Sequence, residues 1–162
     1  MFIKQADLFW SLNHDFVKKI MDKVEKESFD TGHYIFSEGE PAIYFYTLIK
    51  GRVNLRFGKA GISVFTVNHA GESFGWSSIV ARDMYSASAE CMEPTKVIKI
   101  NRKIFWEILT EYPNDGLVFM KRLATLLGQR LLWSYEMVSS SMKVSDHLSF
   151  GTGQVLETAA EE

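Results

Sequence analysis

The sequence has few of the features that mark several large classes of protein. Its 162 residues include one cysteine, Cys91, so no internal disulfide can form, and a lone thiol fits a reducing compartment. No stretch approaches the roughly 20 apolar residues that a membrane span needs, and the N-terminus lacks an apolar run of signal-peptide length. The net charge is only -2, from 18 basic and 20 acidic residues. The sequence therefore lacks the excess of positive charge that is typical of nucleic-acid-binding domains. We therefore expect a soluble cytoplasmic protein without direct membrane or nucleic-acid binding.

Catalytic and metal-binding patterns are also missing. The histidines, His14, His33, His69 and His147, lie far apart along the chain, whereas a jelly-roll metal enzyme needs clustered histidines on neighbouring strands. An iron–sulfur sensor needs several cysteines, and no nucleophile has a convincing base partner. We therefore expect no catalytic residue, no metal and no cofactor. A metal-dependent enzyme remains only as a third alternative, which elemental analysis would dismiss.

The spacing of apolar residues changes along the chain. Helical spacing predicts an N-terminal helical segment within residues 1–28. Short runs rich in β-branched and aromatic residues then predict an antiparallel sandwich or barrel over residues 29–100. These runs are 33–36, 45–49, 52–57, 63–68, 86–91 and 95–100.

Helical spacing returns after Asn101, over residues 101–143. Asn101 can cap a short helix that runs through Leu109. A stop at residues 113–115 precedes a second helix, from about Asp115 to Ser140, which is long for a chain of this size. The tail at residues 144–162 has no sustained apolar stripe, so we expect it to stay mobile.

Two stretches carry glycines at the spacing of a known sensor family. FDTGHYIFSEGEPA at 29–42 and YTLIKGRV at 46–53 resemble the opening of the cyclic-nucleotide-binding, catabolite-activator-like domain. Each glycine permits positive φ at a tight turn. The resemblance covers about residues 8–143. It implies a mainly β fold with flanking helices: a double-stranded β-helix, or jelly roll, followed by a long C-terminal dimerisation helix.

A second signature, GESFGWSSI at 71–79 followed by YSASA at 85–89, resembles the family's phosphate-binding cassette. In the family, backbone N–H groups of a turn and short helix hold the cyclic phosphate. A glutamate accepts a hydrogen bond from the ribose hydroxyl, and an arginine neutralises the phosphate. The ligand-binding positions that the resemblance implies are Gly71, Glu72, Phe74, Gly75, Trp76, Ser77, Arg82, Tyr85, Ser86 and Ala87.

This sequence departs from the family pattern at two of those positions. Trp76 stands in place of the glutamate, and its indole offers a donor but no acceptor. Tyr85 stands in place of the arginine, and a neutral phenol cannot form a bidentate cationic clamp. Each lost charge-assisted hydrogen bond is worth roughly 1.5–3 kcal/mol. Two such losses lower affinity by about a hundred- to ten-thousand-fold, so we expect weak or absent binding of cyclic AMP and cyclic GMP.

Two roles are open for Arg82, which lies in the same loop. In one, its guanidinium turns toward an anion held by the N–H groups around Ser77 and Ser86. In the other, it forms a surface ion pair with Asp83 or Glu72.

The long helix resembles the central dimer helix of the catabolite activator at RL 122–123, RL 130–131 and SYE 134–136. The resemblance places Ser134 and Tyr135 where two hydroxyl residues reach the ligand, one from each subunit. The alternative is that Ser134 packs in a helix seam and Tyr135 lies at the interface. We expect a parallel homodimer through this helix. The predicted seam positions are Leu127, Leu131, Trp133, Ser134 and Val138.

The resemblance implies a ligand-sensing regulatory module. We expect no DNA-binding domain, because the residues after the long helix are too few for one, so output passes to a protein partner. A small anionic or nucleotide-like effector would bind between residues 71–85 and the long helix and shift a hinge at residues 113–115. The alternative is a dimeric protein-interaction scaffold whose pocket is vestigial and filled by Trp76 and Tyr85.

Overall fold

The computed structural model of the chain describes residues 8–80 and 82–141. The chain divides into two compact units between Thr125 and Leu126. The helices are α1 (His14–Met21), α2 (Arg102–Glu111) and α3 (Pro113–Ser141). The strands are β1 (Glu25–Phe29), β2 (Tyr34–Phe36), β3 (Tyr44–Lys50), β4 (Val53–Phe57), β5 (Ile62–Val67), β6 (Ser73–Phe74), β7 (Ser88–Cys91) and β8 (Thr95–Asn101).

The strands form two antiparallel sheets that face each other across one core. One sheet has the order β1-β8-β3-β6 and the other β2-β7-β4-β5. The inner faces bury aliphatic and aromatic side chains: Val53 and Leu55 of β4 are buried and Arg56 is half-exposed, whereas Phe57 at the end of the strand is exposed. The mainly β jelly roll with flanking helices and a long C-terminal helix is therefore confirmed.

The N-terminal segment is helical over a shorter range than the predicted 1–28. After α1 ends at Met21, the chain turns and enters β1, which pairs with β8 from Glu25↔Lys99 to Phe29↔Thr95. Cross-strand charge supports this register, since Lys99 Nζ lies 2.7 Å from Glu27 Oε2 and 3.7 Å from Glu25 Oε2. The local sequence KVEKES has no apolar alternation, so only the partner strand, about 70 residues further along the chain, decides its conformation.

An aromatic cluster joins the helices of the first unit to the sheet that contains β3. The Phe119 ring of α3 lies 5.2 Å from the ring of Phe9 and 5.0 Å from that of Phe105. Phe45 of β3 stacks on Phe105 at 5.9 Å. All these rings are buried, so the cluster holds the start of α3 against the sandwich.

The junction between α2 and α3 is tightly packed. Asn101 caps α2 as predicted, its side-chain oxygen accepting the amide of Lys103 at 2.9 Å. Pro113 begins α3, where its missing N–H has no helical partner to lose. A Cβ added to Gly116 would lie 2.8 Å from the carbonyl oxygen of Leu109. The close approach of the two helices therefore requires glycine here, and the hinge at residues 113–115 stays a prediction.

The predicted mobile tail, residues 144–162, lies outside the described residues. In the part of the chain that the structure describes, no helix combines the length and hydropathy of a membrane span.

Candidate functional site

The cassette begins with a turn that Glu72 organises. Its Oε2 accepts the amides of Asn68 at 2.8 Å and His69 at 2.9 Å, and its Oε1 lies 3.6 Å from His69 Nδ1. The main chain on either side is tied to β3, since Gly71 N donates to the carbonyl oxygen of Leu48. The Glu72 carboxylate is therefore engaged in holding the turn.

Gly75 connects β6 to a short 3₁₀ helix, Trp76–Ser78. Its φ is +74°, and an added Cβ would lie 3.1 Å from Tyr46 Cδ2 and 3.2 Å from the carbonyl oxygen of Tyr44. The cassette thus lies directly against β3. Ser78 closes the short helix by donating its hydroxyl to the carbonyl oxygen of Gly75 at 2.8 Å.

Tyr85 enters the sandwich instead of facing solvent, with a relative exposure of 5%. Its hydroxyl donates to the carbonyl oxygen of Tyr44 at 2.8 Å and accepts the amide of Tyr44 at 3.0 Å. Burial raises the pKa of Tyr85 above its usual value. The phenol is therefore neutral near pH 7, and its hydroxyl is already engaged in hydrogen bonds with the backbone of β3.

Aromatic rings fill the sandwich interior beside the cassette. Phe36 stacks on Tyr85 with 3.8 Å between ring centroids and 15° between planes. Tyr46 stacks on Phe74 at 5.3 Å and 14°, and Phe36 lies 5.5 Å from Tyr46. All four side chains belong to the core between the sheets. Sequence reasoning assigned Tyr85 to the site but did not anticipate Phe36 as its stacking partner, because β2 and the cassette are distant in sequence.

Two serines bring the halves of the cassette together. Ser77 Oγ and Ser86 Oγ are 3.3 Å apart, and the amide of Ser86 donates to Ser77 Oγ at 3.3 Å. Ser77 is buried, whereas Ser86 and Ala87 are half-buried. The predicted positions around residues 77 and 86 are thus adjacent in space. Trp76, also half-buried, lies at the start of the same short helix.

Arg82 is exposed, and neither predicted ion pair is present. Asp83 pairs instead with Arg102, whose Nη1 lies 3.6 Å from Asp83 Oδ1, and Glu72 lies beside His69. Within residues 8–80 and 82–141, no carboxylate lies within ion-pair distance of the Arg82 guanidinium. The surface-pair interpretation is therefore wrong for both partners. The role of Arg82 toward an anion remains a prediction.

Arg102 is a residue that sequence reasoning missed. Its Nη1 donates to the carbonyl oxygens of Ala42 at 3.4 Å and Arg82 at 3.3 Å. It thereby joins the cassette loop to the N-terminus of α2. Its position directly after the helix cap was visible in the sequence, but the loop that it contacts was not.

In the second unit, the predicted dimer positions fall on two faces of α3. Leu127, Leu131, Ser134 and Val138 are spaced by four, three and four residues and share one face. Trp133 lies roughly 130° around the helix from the centre of that face, and its assignment to the dimer seam stays a prediction. Leu131, Trp133, Tyr135 and Val138 are exposed. The Ser134 hydroxyl donates to the carbonyl oxygen of Arg130 at 2.9 Å.

The described residues give little support to a metal site or to a reactive thiol. No three histidine, cysteine, aspartate or glutamate side chains converge there as a metal site would need. Cys91 is buried on β7, and burial raises the pKa of its thiol, which disfavours the reactive thiolate.

Comparison with known proteins identifies similar domains. The family profile of the cyclic nucleotide-binding domain matches residues 26–112. The chain is 28% identical over 163 residues to cGMP-dependent protein kinase 2 of Mus musculus, an alignment that covers 98% of this chain. It spans only 21% of that kinase, or about a fifth of its length.

Solved structures give the same result. A protein of Geobacter metallireducens described as cyclic nucleotide-binding is 31% identical, with a TM-score of 0.68 over 76% of this chain and 91% of the other. A cyclic nucleotide-binding domain of Methylobacillus flagellatus has a TM-score of 0.75 and 21% identity, over 90% of this chain and 83% of the other. The second likeness supports the fold alone.

Proposed function

Since the chain belongs to the cyclic nucleotide-binding domain family, we propose that it is a non-catalytic regulatory module that senses a small effector. We further propose that cyclic AMP and cyclic GMP bind it weakly or not at all. The observation that carries this proposal is the position of Tyr85. Its ring is stacked on Phe36 inside the sandwich, and its hydroxyl bonds to both backbone groups of Tyr44.

The phosphate of a cyclic nucleotide would find no cation at position 85. Tyr85 is neutral near pH 7, because the usual pKa of a phenol is about 10 and burial raises the pKa of Tyr85 further. Its hydroxyl cannot turn to a ligand without leaving the amide and carbonyl of Tyr44 unpaired in a part-buried position, which costs about 1–3 kcal/mol per group. We therefore expect low phosphate affinity for two reasons: position 85 carries no cation, and the hydroxyl that is there is already engaged with Tyr44.

The ribose of a cyclic nucleotide would also lack its acceptor. Trp76 follows Gly75 directly, where an added Cβ would lie only 3.1 Å from Tyr46 Cδ2, so the backbone that carries Trp76 starts close to β3. An indole donates through its N–H and accepts nothing. A ribose hydroxyl near it would lose its charged partner without a replacement.

The effector that best fits the cassette is a small anion. Ser77 and Ser86 place two hydroxyls 3.3 Å apart, and Arg82 is the nearby cation with no carboxylate partner among the described residues. We propose that these three side chains contact the effector, with Arg82 supplying the charge that Tyr85 lacks.

The module is proposed to act as a parallel homodimer through α3 and to pass its output to a protein partner. Leu131 and Val138 are 51% and 49% exposed, although they share a face with Leu127 and Ser134 at heptad spacing. A second α3 would bury them in a coiled-coil seam.

A dimeric scaffold with a vestigial pocket is the second candidate. The stacked rings of Phe36, Tyr46, Phe74 and Tyr85 favour it, because close-packed side chains leave little space between the sheets. In this version the fold supports α3 and binds no effector.

Isothermal titration with cyclic AMP and cyclic GMP tests the proposal on the full chain. We expect no saturation below millimolar ligand for the unmodified protein, and binding of either ligand at micromolar concentration would overturn the proposal. The double variant Trp76→Glu with Tyr85→Arg restores the family's charged pair, so its affinity should rise at least a hundred-fold if it remains folded by circular dichroism. Trp76→Glu alone serves as the control for the phosphate contribution.

A thermal-shift titration separates the two candidates. Inorganic phosphate, 5′-AMP and 5′-GMP are the probes, and a saturable rise in Tm for any of them supports the sensor. Arg82→Ala should abolish that rise, whereas Lys59→Ala, an exposed cation elsewhere on the surface, should preserve it. A flat response to all three probes would favour the scaffold.

A further inference from the structure

An open cleft lies where α2 begins, beside the cassette loop. Its volume is about 650 Å³. The residues that line it are Ile43, Asp83, Asn101, Arg102, Lys103 and Trp106. A second depression of about 680 Å³ further along α2 shares Lys103 and Trp106. These two side chains are therefore accessible from both sides.

The cleft exposes two large apolar side chains together. Trp106 is 42% exposed and Ile43 is 44% exposed. Trp106 lies on α2 beside the face that buries Phe105, Ile108 and Leu109, and its own side chain is exposed. Tryptophan is among the residues most enriched at the energetic centres of protein interfaces.

Positive charge surrounds this apolar pair. The guanidinium of Arg102 is held in place by Asp83 and by the carbonyl oxygens of Ala42 and Arg82. Lys103 is exposed, and its ammonium has no carboxylate within ion-pair distance in the part of the chain that the structure describes. The exposed Arg82, which precedes Asp83 in the sequence, likewise has no carboxylate within ion-pair distance among the described residues.

Few acidic groups offset these cations. Among the described residues, Asp83 is the one carboxylate that lines the cleft, and it already pairs with Arg102. Glu107 and Glu111 line only the second depression, and Glu111 is bound by Lys19 at 2.8 Å. The cleft itself therefore keeps an excess of positive charge.

We propose that this cleft docks a short acidic segment of a partner protein. A bulky apolar residue of the segment would pack on Trp106 and Ile43, and flanking carboxylates would pair with Lys103 and Arg102. Buried aromatic contact provides the affinity, while complementary charge orients the segment and raises the association rate. Docking needs only this surface, so the inference goes beyond effector sensing and does not rest on it.

The position of the cleft gives the docked segment access to the cassette. Arg102 contacts both the carbonyl oxygen of Arg82 and the carboxylate of Asp83. A partner bound to Arg102 would therefore touch the loop that connects the Ser77 and Ser86 halves of the cassette.

Selection from a phage-displayed library of 12-residue peptides against the full chain tests the proposal. Enriched peptides are then synthesised, and their Kd values are measured by fluorescence polarisation. The chains compared are wild type, Trp106→Ala and Lys103→Glu. The matched controls are Trp10→Ala, which removes another exposed tryptophan (64% exposed), and Lys96→Glu, which reverses an exposed cation on β8.

We expect enriched peptides that carry a net negative charge next to Leu, Ile, Phe or Trp. Their affinity should fall at least tenfold with Trp106→Ala and with Lys103→Glu, and stay within twofold in both controls. Raising the salt concentration should weaken binding to the wild type. The proposal is overturned by the absence of enrichment, by enriched peptides without acidic residues, or by affinities that Trp106→Ala leaves unchanged.

Discussion

The hydroxyl of Tyr85 closes a two-bond bridge with the backbone of Tyr44, donating to its carbonyl oxygen and accepting from its amide. The two residues are 41 positions apart in sequence. The bridge links the far end of the cassette to the first residue of β3, so Tyr85, for which the resemblance implies the position of the family's arginine, is part of the framework.

Replacing Tyr85 by phenylalanine should destabilise the protein by about 1–3 kcal/mol, because both backbone groups of Tyr44 lose their partner in a part-buried position. The free energy of unfolding in urea measures the effect. Tyr34→Phe is the control, since Tyr34 is 47% exposed and should change stability by less than about 0.5 kcal/mol. Equal effects of the two variants would show that the bridge contributes nothing.

Replacing Gly75 by alanine should destabilise the protein more than replacing Gly32. Both glycines have positive φ, +74° and +81° respectively, so both variants incur the left-handed penalty of roughly 1–2 kcal/mol. Only at Gly75 does the new Cβ also approach Tyr46 Cδ2 and the carbonyl oxygen of Tyr44 closely; nothing lies within 4 Å at Gly32. Chemical denaturation measures the free energy of unfolding of both variants, and the difference between them gives the packing contribution at Gly75. Equal values for the two variants would contradict this prediction.

Replacing Gly116 by alanine should lower stability by about 1–3 kcal/mol through overpacking, because the added methyl meets the carbonyl oxygen of Leu109 at 2.8 Å. Gly128→Ala on the same helix meets nothing within 4 Å. It should raise helix stability by up to about 1 kcal/mol. Thermal unfolding of both variants, followed by circular dichroism, shows whether each substitution lowers or raises the stability. A stabilising Gly116→Ala would mean that α2 and α3 separate freely.

Stability should fall at alkaline pH partly because of Tyr46. Burial raises the pKa of its phenol far above the usual value, which is about 10 in an unfolded chain. The folded state therefore keeps its proton where the unfolded state loses it. This contribution is fully present below pH 10 and is lost as the pH rises above 10, by up to about 1.4 kcal/mol per pH unit.

Tyr46→Phe should make the loss of unfolding free energy between pH 9 and pH 11 less steep, since a phenyl ring can keep the stacking on Phe74 without titrating. Tyr34→Phe again provides the exposed control. Identical slopes for wild type and Tyr46→Phe would show that the phenol does not titrate differently in the folded and unfolded states.

Replacing Leu131 by glutamate should convert the proposed dimer to a monomer, because the charge would enter the α3 seam. Leu132→Glu is the matched control: Leu132 is also exposed (59%, against 51% for Leu131) but lies roughly 120° from the centre of the seam. Size-exclusion chromatography with light scattering measures the mass at equal concentrations. A monomeric wild type, or a Leu131→Glu variant that keeps the dimer mass, would argue against this interface.

Much of the fold was predictable because its signals are short-range. The glycines at tight turns and the cap at Asn101 act within a few residues, so they appear in the sequence as they do in the structure. The sequence likewise predicts that Trp76 and Tyr85 stand in place of two charged residues of the family pattern. The weakened cyclic nucleotide site is therefore a prediction from sequence that the packing of Tyr85 supports.

The sequence by itself determined where most of the strands and helices would form and which side chains the cassette would carry. Only the tertiary structure decided that Glu25–Phe29 is a strand, that Tyr85 points inward to Tyr44, and that Arg102 reaches the cassette loop. Each of these depends on a partner that is 20 to 74 residues away. Local propensity and turn chemistry carry no information about such partners, because the contact exists only once the two sheets have assembled.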